Sequence, residues 1–279
     1  MGRASRIEYH PGIKKIVKES VYIIKIGGNI IDDEARLQEF LRSFSHIQGL
    51  KVLVHGGGKL ATKLADTLNI PQQMVEGRRI TDAETLKVVT MVYAGLINKS
   101  VVAGLQAMQC NAIGFSGADG NLIKSKKRGT AQLDYGFVGD VEQVNASLLT
   151  QLLHDGYTPV IAPITHNGDG QLLNTNADTI AQEIAKALAP FFAVQLLYSF
   201  EKKGVLLDVD DDGSVIPVID PPSYQDLKTA GKIFAGMIPK LDNAFAAIQA
   251  GVDKVIIGQA EELDMLVQGK AGTMLTNGK

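Results

Sequence analysis

A single cysteine, Cys110, stands in a chain of 279 residues. No intrachain disulfide can form, so a secreted disulfide framework and a structural zinc site both lose support. An excess of positive charge is missing as well. The 28 Lys and Arg face 30 Asp and Glu, a formal net charge of −2, which leaves no basic footprint for a nucleic-acid partner. Long apolar runs are scarce. The longest greasy stretch, residues 187–200, holds Pro190 and Gln195 and falls short of the ~20 residues a membrane span needs. Residues 1–20 carry charges throughout and do not read as a signal peptide. The five histidines have no metal-ligand spacing, no Gly-x-x-x-x-Gly-Lys-Ser/Thr phosphate loop occurs, and no internal repeat is visible. These absences describe a cytoplasmic protein with no membrane or nucleic-acid partner and no protein-held metal. Its 45% hydrophobic content allows a large core, in one large domain or two lobes.

Two glycine turns stand out among the residues that are present. Val21-Tyr22-Ile23-Ile24-Lys25-Ile26-Gly27-Gly28 is one, and Lys51-Val52-Leu53-Val54-His55-Gly56-Gly57-Gly58 the other. A run rich in Val and Ile that ends in consecutive glycines reads as a buried strand emptying into a tight loop. Such a loop lets backbone N–H groups approach an anion, and a following helix adds its positive end. Two of them, with Lys25 inside the first strand, point to a site for a phosphoryl group.

Strand-like and helix-like runs alternate. Strands are expected at 21–26, 50–54, 112–115, 136–144, 158–162, 192–198 and 254–257, with a hairpin around 210–213. Helices are expected at 33–46, 59–69, 147–156 and 176–189, and a long one reaching about residue 109. Thr81-Asp82-Ala83-Glu84 reads as a capping box opening that long helix, and Ser147 as another cap. The alternation implies a mostly parallel sheet covered on both faces, with a lobe boundary near Pro190. Two motifs are decoys. Gly56-Gly57-Gly58-Lys59-Leu60-Ala61 satisfies the dinucleotide fingerprint, but the nearest acidic residue, Glu76, ends no convincing strand. Residues 208–213 mimic the start of a calcium loop whose closing glutamate is Ile219.

Further features join the glycine turns: Gly77-Arg78-Arg79-Ile80-Thr81, Asn174-Thr175-Asn176-Ala177-Asp178 and Gly236-Met237-Ile238-Pro239-Lys240. Each alone reads as surface charge, turn chemistry or dipole complementarity. Together, in this order and spacing, they resemble the amino acid kinase family, and specifically its N-acetylglutamate kinase branch. The resemblance runs from Lys25 to about Thr273. It implies a three-layer αβα sandwich around a mostly parallel open sheet, in two lobes. Residues 1–190 would hold the acylglutamate and the phosphoryl-site loops, and 191–279 would hold ATP. It implies transfer of the ATP γ-phosphoryl to the side-chain carboxylate of an N-acylated glutamate, in arginine biosynthesis.

The resemblance also implies residue roles. Lys25 and Lys240 would neutralise charge on either side of the transferring group, with Asp178 holding both lysines. Gly27, Gly28, Gly56 and Gly57 would donate N–H bonds to the phosphoryl group. Gly57, Gly58, Arg79, Asn174 and Asn176 would hold the substrate. A carboxylate nucleophile needs no general base, so the chemistry reduces to charge and position. Mg2+ would arrive with ATP. Three places depart from the family pattern: Tyr198-Ser199-Phe200-Glu201 lacks its usual aspartate, Ala118 stands for a lysine, and Arg78 for an apolar residue. Arg78 either faces solvent or suits the second carboxylate of an N-succinyl substrate. The residues also leave room for a different activity of the amino acid kinase family, or for a non-catalytic amino-acid sensor on the same fold. Weak or absent arginine inhibition is expected, with a homodimer through the long helix, whose Val88, Val89, Val92 and Leu96 recur at helical spacing. Those residues suit an ordinary core equally well.

Overall fold

The computed structural model describes residues 18–75, 78–129, 133–233 and 237–278. Glu76, Gly77, Gly236 and the first seventeen residues lie outside them. The chain begins with β1 (Ser20–Ile26), α1 (Gly28–Ile31), α2 (Glu34–His46), β2 (Leu50–His55), α3 (Gly58–Thr67), β3 (Gln73–Val75) and β4 (Arg78–Ile80). A single rod follows, α4 (Ala83–Val89) running through a π-helical stretch, Thr90–Ile97, into α5 (Asn98–Ala107). Next come β5 (Ala112–Phe115), β6 (Ile123–Gly129), β7 (Asp134–Val144), α6 (Ala146–His154), β8 (Thr158–Ile161), β9 (Ile164–His166), β10 (Leu172–Thr175) and α7 (Ala177–Leu188). The chain closes with β11 (Ala193–Phe200), β12 (Val218–Ile219), α8 (Pro221–Thr229), α9 (Ile238–Gln249), β13 (Lys254–Gln259), α10 (Leu263–Val267) and β14 (Thr273–Leu275).

Eight strands form the central sheet in the order β12-β14-β13-β11-β1-β2-β8-β5. All its pairings are parallel except β13 with β14. Strand periodicity creates two cores. Val21, Ile23, Val52 and Val54 point to the face covered by α6, α7 and α9. Ile24, Ile26 and Leu53 point to the face covered by α2, the rod and α10. Each fully buried Ile or Leu contributes about 1.5–3 kcal/mol, so sliding a central strand by one residue would exchange both sets and lose most of that. Lys25 falls on the first face by the same alternation. The sheet is continuous across residue 190, because β11 pairs directly with β1.

Four features differ from the sequence expectation. A separate closed arrangement, β10-β7-β6-β9, rises beside the main sheet, and Lys-rich β6 has no apolar alternation to announce it. Asp82, not Thr81, caps the rod, accepting from the Thr85 N–H at 2.7 Å. Thr81 is drawn into a bridge with Gly136, and Glu84 pairs with Lys87. Asn145, not Ser147, caps α6, accepting from the Leu148 N–H at 3.1 Å. Finally, the rod Ala83–Ala107 is long and apolar enough, by length and composition, to cross a membrane, a longer apolar element than the stretch at 187–200. Val88, Val89 and Val92 on it are core residues, while Met91 and Leu96 are exposed.

Candidate active site

Neighbouring parallel strands bring the two glycine turns together. Ile26 at the end of β1 lies opposite His55 at the end of β2, and Lys25 lies opposite Tyr198 of β11. The carboxyl ends of parallel strands are where open α/β sheets bind ligands. In the first turn, Gly27 differs from its expected role as a phosphoryl donor. Its N–H donates to the Ser199 carbonyl at 2.8 Å, and a Cβ there would lie 3.2 Å from that oxygen. Gly27 permits close approach of β11, whereas Gly28 faces open space. Asn29 donates to Glu201, tying this turn to the segment after β11.

In the second turn every carbonyl is engaged by protein. Gly56 O receives His55 Nδ1 at 2.9 Å, and Gly57 O receives the Ala61 N–H at 3.2 Å. Gly58 O receives Arg79 Nη2 at 2.9 Å and Thr62 Oγ1 at 3.0 Å. A trans peptide points its N–H away from its carbonyl, so the N–H groups of the turn point away from these partners, and Gly56, Gly57 and Gly58 line a cavity. Burial, helped by the charge of Lys99, brings His55 down to about 4 against the raising hydrogen bond to Gly56, so the imidazole is neutral at physiological pH.

Asp178, in the first turn of α7, receives Lys25 Nζ at 2.7 Å. Burial pushes its carboxyl up, but the charge and hydrogen bond of Lys25 and the charge of Lys240 outweigh that and hold it below the usual range. Lys240 lies in the first turn of α9, its Nζ 4.7 Å from the Phe200 ring centre. Lys25 pairs with the carboxylate directly, and Lys240 acts on it through its charge alone. Asn176 caps α7 through its carboxamide oxygen, accepting from the Thr179 N–H at 3.0 Å, which leaves its amide hydrogens for the cavity. Tyr198 donates to the Asp178 carbonyl at 3.3 Å; burial, then the Asp178 and Glu183 charges, push its phenol far up.

Arg79 is buried and more occupied than its sequence suggested. Besides Gly58 O it donates to Thr62 Oγ1 at 2.8 Å and to Gln72, and its charge acts on the buried Tyr93 phenol. Asn174 on β10 donates to Thr81 Oγ1 at 3.0 Å. A cavity of about 240 Å³ gathers Lys25, Gly28, Gly56, Gly57, Gly58, Arg78, Arg79, Asn174, Asn176 and Asp178. Lys240 does not line that cavity; the Phe200 ring beneath its Nζ lines a second, more apolar cavity of about 560 Å³ with Val205, Leu206, Leu207, Val209 and Met237. Sequence reasoning missed Thr62, Gln72, Tyr93 and Asn98; none sits in a glycine turn, and helical spacing explains Tyr93 as core.

The amino acid kinase family model matches residues 20–259. A Parabacteroides distasonis protein named acetylglutamate kinase is 60% identical over 252 residues, covering 90% of this chain and 98% of that protein. A Phocaeicola vulgatus protein of the same name is 59% identical over 248 residues, covering 89% and 96%. The crystal structure of smu.665 from Streptococcus mutans UA159 is similar with a TM-score of 0.71 at 27% identity, covering 92% of this chain and 98% of that one. Strand order, glycine turns and near full-length similarity agree: this chain belongs to the amino acid kinase family.

Proposed function

We infer that the chain is an acetylglutamate kinase, phosphorylating the side-chain carboxylate of N-acetyl-L-glutamate with ATP in arginine biosynthesis. Similarity to relatives of that name over nearly their whole length supports the reading. The observation that carries it is Asp178 gripping Lys25 while lying within the field of Lys240, in the cavity that the two glycine turns line. A carboxylate oxygen attacks the γ-phosphorus, the bond to the β-phosphate oxygen breaks, and ADP leaves. No proton moves, so the site needs cations and fixed donors rather than a base.

Lys25 and Lys240 take the two sides of the migrating group, and Asp178 orients both. Gly28, Gly56 and Gly57 supply N–H donors, while Arg79, Gly58, Asn174 and Asn176 hold the acylglutamate. The larger apolar cavity takes the adenosine end, so the lobe after residue 190 is the nucleotide lobe. Magnesium fits as a passenger on ATP. Among the described residues no group of three His, Cys, Asp or Glu is arranged to hold an ion, and Asp178 is already paired. When bound, it supplies charge at the phosphate oxygens. Trapping the acyl phosphate with hydroxylamine tests the reading: hydroxamate forms with ATP, Mg2+ and N-acetyl-L-glutamate, and not with aspartate or carbamate. Absence of product with any acylglutamate overturns it.

One observation favours an N-succinyl substrate: Arg78 lines the same cavity as Arg79. On this reading Arg78→Met lowers kcat/KM for N-succinyl-L-glutamate by about tenfold or more, the size of one charge-assisted hydrogen bond, and leaves the acetyl substrate within about twofold. A preference for acetyl in both proteins sinks it. The assembly we propose is a homodimer through the outer face of the rod, where Met91 and Leu96 are 53% and 61% exposed. Leu96→Glu should then halve the mass measured by light scattering, and an unchanged mass would refute this interface.

A further inference from the structure

His55 is fully buried and ends β2, yet phosphoryl transfer gives it no proton to move. Its partners explain its presence. Nδ1 meets Gly56 O at 2.9 Å, and Nε2 meets Asn98 Nδ2 at 3.2 Å. Asn98 Nδ2 also donates to Val160 O at 3.0 Å, and its Oδ1 accepts from Lys99 Nζ at 3.1 Å. The ends of this chain of bonds are unambiguous. Two carbonyls can only accept and an ammonium can only donate. One arrangement satisfies them all: the imidazole proton sits on Nδ1, and Nε2 is a bare acceptor.

Asn98 follows directly on the π-helical stretch Thr90–Ile97. Ile97 presses on Gly57 so closely that a Cβ there would fall 2.1 Å from its Cδ1, and Gly114 leaves the room that Asn98 fills. Consecutive residues of the rod therefore seat on the second glycine turn from below. π-helical turns are rare and concentrate at functional sites.

We propose that His55 and Asn98 are positioning residues of phosphoryl transfer: by fixing the Gly56 carbonyl they lock the Gly56–Gly57 peptide with the Gly57 N–H facing the migrating group. The proposal rests on the kinase reading above. His55 holds the carbonyl, Asn98 holds the tautomer of His55, and neither touches substrate. Rotation of that one peptide would present the attacking carboxylate with a carbonyl oxygen instead of a donor.

The test uses the full chain as wild type, His55→Asn, His55→Gln, His55→Leu and Asn98→Leu. Each is assayed with ATP, Mg2+ and N-acetyl-L-glutamate by the hydroxamate trap, with a thermal melt for folding. His55→Leu and His55→Gln should lower kcat by about a hundredfold, the loss typical of one preorganised donor, with KM for ATP within about threefold. His55→Asn places an amide N–H where Nδ1 was and should recover to within about tenfold of wild type. Asn98→Leu should lose kcat without contacting substrate, and it decides between the outcomes if a His55 variant does not fold. Equal losses for Asn and Gln that track the melting temperature, or wild-type kcat in Asn98→Leu, overturn the proposal. A wild type that makes no acyl phosphate overturns the kinase reading instead, and this proposal with it.

Discussion

Lys25→Met is expected to lower kcat by about two to three orders of magnitude in a protein that still folds. Two charge effects act together. The ammonium that faces the transferring phosphoryl disappears, and the Asp178 carboxylate, 2.7 Å from it in the wild type, is left beside an anion. Unit charges about 4 Å apart interact by about 4 kcal/mol at an effective dielectric of ~20, about a thousandfold in rate. Side chains 16% and 30% exposed admit some solvent, which places the expectation at or below that figure. KM for ATP should change far less than kcat, because the lost interaction strengthens in the transition state. A kcat within about tenfold of wild type would remove Lys25 from the reaction.

The same substitution has a signature in stability. The folded pKa of Asp178 is depressed, because Lys25 and Lys240 overcome its burial. Such a group stabilises the fold above its unfolded pKa, and the contribution is lost as pH falls through the folded value. Without Lys25, burial is opposed by Lys240 alone and the folded pKa rises. Urea unfolding should therefore show wild type and Lys25→Met furthest apart near neutrality and converging in the acid range.

The parts of the site carried by strand periodicity were legible in the sequence. A Val- and Ile-rich strand can only be read with Lys25 at its end and glycines beyond it, and two such strands in a parallel sheet align their turns. Contests between neighbouring groups were not legible. Thr81 and Asp82 are both good caps, and Asp82 prevails because β7 captures Thr81 through the Gly136 bridge, a long-range pairing invisible in a local window. Gly27 and Gly28 look alike in sequence, but only Gly27 meets the Ser199 carbonyl. Val88, Val89 and Val92 recur as an interface or a core would, and the second core claims them. The π-helical stretch has no residue signature, and the arrival of Asn98 at His55 is a property of the fold alone.

Gly57→Ala should reduce kcat by about a hundredfold or more and destabilise the fold by about 1–3 kcal/mol. Gly57 has φ 140° and ψ 28°, a region that L residues rarely enter. The added Cβ would also fall 2.1 Å from Ile97 Cδ1 and 3.5 Å from Tyr93 Cδ1. Ile97 is 3% exposed, so moving its Cδ1 aside displaces packed neighbours, and the collision pushes the turn and its N–H donors towards the cavity. Strain and misplacement are separable. Gly49 has φ 95° with nothing within 4 Å of a Cβ, so Gly49→Ala should lose comparable stability through backbone strain and keep its kcat. Adding Ile97→Ala to Gly57→Ala relieves the contact but not the dihedral, so the double variant should regain part of the rate only if collision, rather than φ, displaces the donors. A Gly57→Ala enzyme with the kcat of Gly49→Ala would mean that the second glycine turn does not contact the reacting group.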